Sequence, residues 1–343
     1  MKEGNINLPY YKDSRDKMLA YSFCMTILIV MYHLAPHLID LIEIKVKYKY
    51  CQNFFELFGS IALNYFFAAS AYKFFVSSKT VKEKLYNRIR TLIIPFLAWN
   101  TLYISIHILQ KGTISAKTLV LGYTLSPFDG PLWYIFVLYL FFIIFGNRNN
   151  YKCNKTFFGV IILLSIVFAA FHFCIVKQIF DFPYAFWLER TGRMVPPFLV
   201  GACMAREHKP SSCISKAVIV FSVIGSIMCI LLSTYIGDGA FTILLMYLCT
   251  FLLWIACPNF KLKNSSIMRQ DTFSIYAVHE GVIIIVLALI YKMKLHVNSL
   301  VSITLIMMVV LFIIFELGLI INKCLKKVPA FFDIVLTGGR NIR

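Results

Sequence analysis

The chain has 343 residues, 59% of them hydrophobic and only 15% charged, with 34 Lys and Arg against 16 Asp and Glu. Ordinary soluble domains are about 45–50% apolar and about 25% charged, so composition excludes a soluble enzyme, a disordered chain and a secreted disulfide scaffold. It points to a polytopic membrane protein, and the net charge of +18 reads as loop lysines and arginines that fix orientation, with no nucleic-acid partner expected.

A spanning helix needs roughly 20 mostly apolar residues. Runs of this kind occur at 19–38, 54–76, 91–109, 131–146, 157–176, 194–205, 217–236, 240–257, 271–291 and 299–322. The expected fold is therefore an all-α transmembrane bundle of about ten spans. Residues 1–18 are read as a polar N-terminal segment, 19–322 as one membrane domain and 323–343 as a C-terminal tail. The run 194–205 is short and carries Pro196-Pro197, which suggests a tilted or broken helix. Runs 217–236 and 240–257 are separated only by Gly237-Asp238-Gly239, a tight turn that makes them antiparallel neighbours. With alternating spans and both termini in the cytoplasm, the inner segments hold 23 Lys and Arg and the outer ones 10, the asymmetry expected of cytoplasmic termini. The first outer loop, with Lys45, Lys47 and Lys49, runs against that trend. The first run lacks a small-residue cleavage site and is read as an uncleaved span.

The first run carries His33 and, one turn on, His37 in the stretch ILIVMYHLAPHLID. At 1.5 Å per residue, His33 lies roughly 24 Å beyond Lys17, in the outer half of the membrane. A neutral imidazole there suits a general base toward a hydroxyl, because its pKa lies near working pH. A structural hydrogen bond to a neighbouring helix is the plainer alternative. The i,i+4 pair also has metal-ligand spacing, but Pro36 distorts the turn and no further ligands stand nearby, so no metal is expected. The second and third runs flank Ser77–Thr91, with Lys79, Lys82, Lys84, Arg88 and Arg90. Such a loop can grip phosphates through guanidinium forks, or simply set topology and touch anionic lipid. Gly130-Pro131-Leu132-Trp133-Tyr134 opens the fourth run, where Trp and Tyr also suit an interfacial belt.

Arg190-Thr191-Gly192-Arg193 brings two arginines to the mouth of the short run. In the ninth run, Tyr276 and His279 share a helical face with Glu280 beside them. Glu316 sits deep in the last run and Glu56 near the start of the second; ionisable groups in spans are costly and often functional. Cys24, Cys174, Cys203, Cys229, Cys249 and Cys257 lie in apolar runs as small hydrophobes, and no C-x-x-C pair occurs. Walker loops, dinucleotide fingerprints and metalloprotease helices are absent.

Taken in order, these features resemble acyltransferase family 3, the bacterial integral-membrane O-acyltransferases of surface glycans. A first span closes on His (Ile27–His33), and a second carries aromatic residues and Ser (Asn64–Tyr72). A basic stretch leads to Pro (Arg88–Pro95), Gly130–Tyr134 opens the fourth span, a short span ends at Gly201, and Thr272–His279 follows. The likeness runs from about residue 12 to 325. One departure is marked: where the family has an acidic and a basic residue ahead of the His, this chain has Leu19 and Ser22, with Arg15-Asp16-Lys17 further upstream.

The resemblance implies an acyl-coenzyme A donor, acetyl-coenzyme A above all, and an acceptor hydroxyl on a glycan or lipid-linked saccharide, in a bacterial cytoplasmic membrane. It casts His33 as base or acyl relay, with Arg15 in place of the missing cation and Tyr276 and His279 as further catalytic groups. Lys84, Arg88 and Arg90 would hold the donor, with Trp133 and Arg193 lining the cavity. Two other classes stay open. One is an exporter of a polysaccharide or small polar solute, using Glu56 and Glu316. The other is a purely structural subunit of a surface-polymer assembly.

Overall fold

The computed structural model describes residues 9–40, 49–124, 130–147, 155–176, 178–179, 185–205, 216–256, 265–293, 299–325, 327 and 329–339. Lys45, Lys47 and the ends of the N- and C-terminal segments lie outside them. Every regular element among the described residues is helical: α1 (Pro9–Asp40), α2 (Lys49–Val76), α3 (Val81–Arg88), a π-helical turn (Ile89–Ile93), α4 (Ile94–Lys111), α5 (Ala116–Gly122), a 3₁₀ turn (Gly130–Leu132), α6 (Trp133–Gly146), α7 (Lys155–Val176), α8 (Ala185–Gly192), α9 (Val195–Met204), α10 (Lys216–Ile236), α11 (Ala240–Ala256), α12 (Ser265–Lys292), α13 (Leu300–Leu325) and α14 (Ala330–Thr337).

Seven helices are long and apolar enough to cross a membrane: Asp16–Ile39, Tyr50–Val76, Val81–Leu109, Thr156–Val176, Ala217–Ile236, Thr272–Lys292 and Val301–Leu325. Two further apolar helices, Gly130–Gly146 and Ala240–Ala256, are shorter. Each of the ten hydrophobic runs falls on a helix, but α9 has only 10 residues. Its rise is about 15 Å, half of a hydrocarbon core of roughly 30 Å. Pro196 and Pro197 occupy its first turn, where the missing N–H groups have no intrahelical partners to lose. Most of α9 is buried, so it is an internal half-helix.

The bundle is organised around α2, which packs against α1, α6, α9, α10 and α11. Its aromatic side chains interlock with α6 and α9: Phe74 stacks on Phe142 with ring centroids 4.6 Å apart, and Phe67 and Phe198 both meet Phe141. A second apolar cluster joins α1 to α12 and α13 through Val30, Leu34, Leu38, Ile275, Ile283 and Ile314. Helix α1 thus lies at the seam of two cores. Around the outside, α7, α10 and α13 expose large apolar residues, among them Ile162, Phe221 and Phe312. In a bilayer these are lipid contacts that need no protein partner.

Several polar groups on the spans donate to backbone carbonyls. Ser22 and Thr26 donate back to Met18 and Ser22 carbonyls, the i−4 bond by which a hydroxyl avoids exposure to lipid. Lys17 Nζ donates to the Trp254 carbonyl at 2.8 Å and Tyr21 to Leu253 at 2.7 Å. These are last-turn carbonyls of α11 that have no intrahelical donor, at the end favoured by a cation. The Gly237-Asp238-Gly239 turn closes α10 onto α11, with Gly237 at φ 79°. The π-helical turn precedes Pro95, whose ring would collide with the Thr91 carbonyl in a regular helix; the wider turn relieves that contact. Cys203 departs from the expectation of a simple buried thiol, being disulfide-bonded.

Candidate active site

His33 faces α12 from the later part of the Asp16–Ile39 span. Its ring centroid lies 5.3 Å from that of His279, and its Nδ1 lies 3.9 Å from Glu280 Oε2. The Tyr32 ring meets it edge-on at 4.7 Å. Helix spacing explains the α12 set: Tyr276, His279 and Glu280 are at i, i+3 and i+4 and so line one face. Tyr276 is anchored by donating its hydroxyl to the Pro131 carbonyl, which belongs to the 3₁₀ turn ahead of α6. Tyr134 packs edge-on against Tyr276 at 5.2 Å.

His279 is fully buried, and its Nδ1 lies 2.5 Å from the Tyr276 carbonyl. A carbonyl only accepts, so Nδ1 carries the proton and Nε2 of the neutral ring is left as an acceptor. Among the described residues, neither His279 Nε2 nor Glu280 Oε2 has a hydrogen-bond partner, although both atoms are buried. Buried polar atoms are paired as a rule because leaving them unpaired costs about 1–3 kcal/mol each. Two such atoms beside a histidine leave hydrogen-bonding capacity open for a polar ligand group.

Arg190, on α8, supplies the positive charge. Its guanidinium carbon sits 4.0 Å from the Trp133 ring centroid, with Phe186 and Trp187 at 5.6 and 5.7 Å. The guanidinium makes no ion pair among the described residues, and its contacts are aromatic faces. Burial pulls its pKa down to about 10, with Tyr32 and Tyr276 within its electrostatic reach; it remains a cation at neutral pH.

Behind Arg190 lies a second polar group. His172 of α7 contacts Glu189 Oε1 through Nδ1 and Asp238 Oδ1 through Nε2, both at 2.9 Å. Arg193 Nε lies 3.0 Å from the same Glu189 oxygen. Its backbone carbonyl accepts from the Tyr247 hydroxyl at 2.7 Å. The hydrogen bond from His172 holds the Asp238 carboxyl below the usual range.

The basic residues of Ser77–Thr91 form a separate cluster. Lys84 lies 5.2 Å over the Phe74 ring and Arg88 5.0 Å over Phe142. Arg90 stands in the π-helical turn, beside the Gly338-Gly339 turn that follows α14. Nine residues of α6, about 14 Å of helix rise, separate Phe142 beneath Arg88 from Trp133 beneath Arg190.

The sequence-predicted residues are thus distributed over three places. His33, Tyr276, His279 and Trp133 come together, Arg193 belongs to the network behind them, and Lys84, Arg88 and Arg90 stand at the other end of α6. The backbone of Arg15 is in α1, 18 residues before His33 and about 27 Å away along the axis; its side chain lies outside the described residues. Glu56 is hydrogen-bonded to Gln52 at 3.1 Å, and Glu316 is exposed on α13. Sequence reasoning passed over Arg190 in favour of Arg193, named Glu280 only as a neighbour, and missed His172. The spacing of Glu189 and Arg193 at i,i+4, and a lone histidine in an apolar run, were the available signals.

The acyltransferase family 3 profile, described as an acyltransferase domain, matches residues 23–319. The chain belongs to that family, and its helices make it a multi-pass membrane acyltransferase. The match begins just past Leu19 and Ser22, the positions where the expected charged pair is absent. No curated protein and no solved structure matches the chain.

Proposed function

We propose that the protein transfers an acyl group, acetyl in the simplest case, from acyl-coenzyme A to a hydroxyl of a cell-surface glycan or its lipid-linked precursor. The same reading places it in a bacterial cytoplasmic membrane. The observation that carries it is the convergence of His33, His279 and Glu280 around two buried, unpartnered polar atoms, beside the guanidinium of Arg190.

The chemistry follows from those groups. The acceptor O–H gives its proton to His33, which Glu280 orients through Nδ1; their 3.9 Å separation is the loose contact common before substrate tightens a site. The acceptor oxygen bonds to the thioester carbonyl carbon, and negative charge develops on the carbonyl oxygen. Arg190, held between aromatic faces, stabilises that charge. Collapse breaks the C–S bond, and the coenzyme A thiolate leaves and takes the proton from His33. His279, with Nε2 as a fixed acceptor, receives a hydrogen bond from the acceptor sugar and orients the attacking hydroxyl. Lys84, Arg88 and Arg90 hold the nucleotide phosphates at the cytoplasmic end. The spacing of roughly 14 Å along α6 is bridged by the donor's extended pantetheine arm. Arg15, far along α1, is assigned to the donor end as a compensating cation.

The test is purified protein in detergent with radiolabelled acetyl-coenzyme A, wild type beside His33→Ala. Saturable binding, thioester loss and label transfer to a lipid-linked saccharide, all but binding abolished in His33→Ala, is the expected result. Folded protein that neither binds nor cleaves the donor overturns the reading. The exporter alternative draws no support from Glu316, whose side chain faces outward.

A further inference from the structure

We propose that His172 is a positioning residue, an imidazolium clamp that seats α8 on α7 and so fixes Arg190 in the acyl-transfer site. The inference rests on the reading of Arg190 given above. It starts from valence. His172 places one ring nitrogen on each of two carboxylates, Glu189 and Asp238, both at 2.9 Å. Ionised carboxylates only accept, and a neutral imidazole has a single N–H, so both contacts are hydrogen bonds only when both nitrogens are protonated.

Charge accounting then separates Arg190 from its neighbours. Glu189 is 3% exposed, and a carboxylate so buried needs compensation. His172 and Arg193 supply two positive charges against the two of Glu189 and Asp238. The network is neutral without Arg190, whose charge is left for the ligand.

Mechanical support comes from the same helix. With eight residues, α8 is too short to hold its own shape. It sits on α7 at two points: His172 against Glu189, and Phe168 beneath Gly192, where an added Cβ would lie 2.1 Å from the Phe168 ring. Phe168 and His172 are at i,i+4 and form one continuous bed on α7. Glu189 immediately precedes Arg190, so a loosened clamp releases the guanidinium from Trp133.

The test compares His172→Gln with wild type in two measurements. Hydrogen exchange of the 185–192 amides is expected to speed up at least tenfold in the variant. In acetyl transfer, kcat is expected to fall about tenfold with the donor KM unchanged. The same substitution made on an Arg190→Lys background is expected to cause no further loss, because the group it positions is already compromised. Unchanged exchange in 185–192 overturns the proposal. So does an equal loss on both backgrounds, which is what a merely structural role produces. Asp238→Asn, at the more exposed end of the clamp, gives a smaller change in the same direction and serves if His172→Gln does not fold. If wild-type protein transfers no acetyl group, the catalytic reading fails by itself and the exchange measurement alone decides the seating of α8.

Discussion

Gly201 is where α9 touches α2 backbone to backbone. A Cβ added there would lie 2.0 Å from the Ala68 carbonyl oxygen, 2.6 Å from its carbon and 2.7 Å from its Cα. None of these atoms is the end of a flexible side chain, so Gly201→Ala must part the helices by about 1 Å before the contact is tolerable. Gaps of about 0.5–1 Å forfeit a quarter to a half of each contact's attraction, and the face concerned carries Phe198, Ala202 and Cys203, all buried. Overpacking of this kind costs about 1–3 kcal/mol, while Ala gains up to about 1 kcal/mol over Gly in a helix interior. Gly159→Ala supplies the control: it receives the same helix gain, and nothing lies within 4 Å of its added Cβ. The propensity gain cancels between the variants, leaving a difference of about 1–3 kcal/mol, or roughly 1–4 °C in melting midpoint for a chain of this length. Thermal melts in one detergent measure it. Coincident midpoints would refute the claim that α9 and α2 are in backbone contact.

Three other outcomes are expected. His33→Ala lowers acetyl transfer by about 10²–10⁴, the usual worth of a general base, with an unchanged melt; Glu280→Gln gives a smaller loss, read in the same assay. Replacing Arg88 and Arg90 by Ala raises the KM for acetyl-coenzyme A but not for a short acetyl thioester without phosphates, a comparison made by steady-state kinetics. The Asp238 carboxyl has a depressed pKa, so its stabilisation is complete above the unfolded value of about 3.9 and is lost as pH falls through the lower folded value. Melts of wild type and Asp238→Asn should therefore differ at pH 5–7 and converge as the pH falls through the folded value.

Hydropathy made the membrane class and the long apolar helices legible, because twenty apolar residues in a row have few alternatives in water, but not the short helices α3, α5, α8 and α14. It also marked α9 as irregular, since Pro196-Pro197 and a short run are local signals. Pairing was less accessible. That α12 lies against α1, or α7 under α8, depends on side chains more than 15 residues apart in the chain, and the apolar faces involved are compositionally alike. At the site, the motif pattern pointed to His33, Tyr276 and His279, whose roles depend on single helical turns. Arg190 and Arg193 differ in sequence only in that Arg193 stands at i,i+4 from Glu189. The two diverge through their partners: Arg193, one turn on from Glu189, pairs with its carboxylate, while Arg190 lies over Trp133.

The latch of Lys17 and Tyr21 on the end of α11 joins residues up to 237 apart in the chain. At roughly 5–20 residues per second, a ribosome that has made α1 needs roughly 10–50 s more to deliver Trp254, and longer still to deliver His279. During that interval His33 and Lys17 must wait in the translocation machinery or at its lipid boundary without their native partners. The last helices act as the closing members of a ring whose first member was inserted long before. Truncation after α10 would therefore strand α1, and the membrane's quality-control proteases would meet an exposed histidine and lysine.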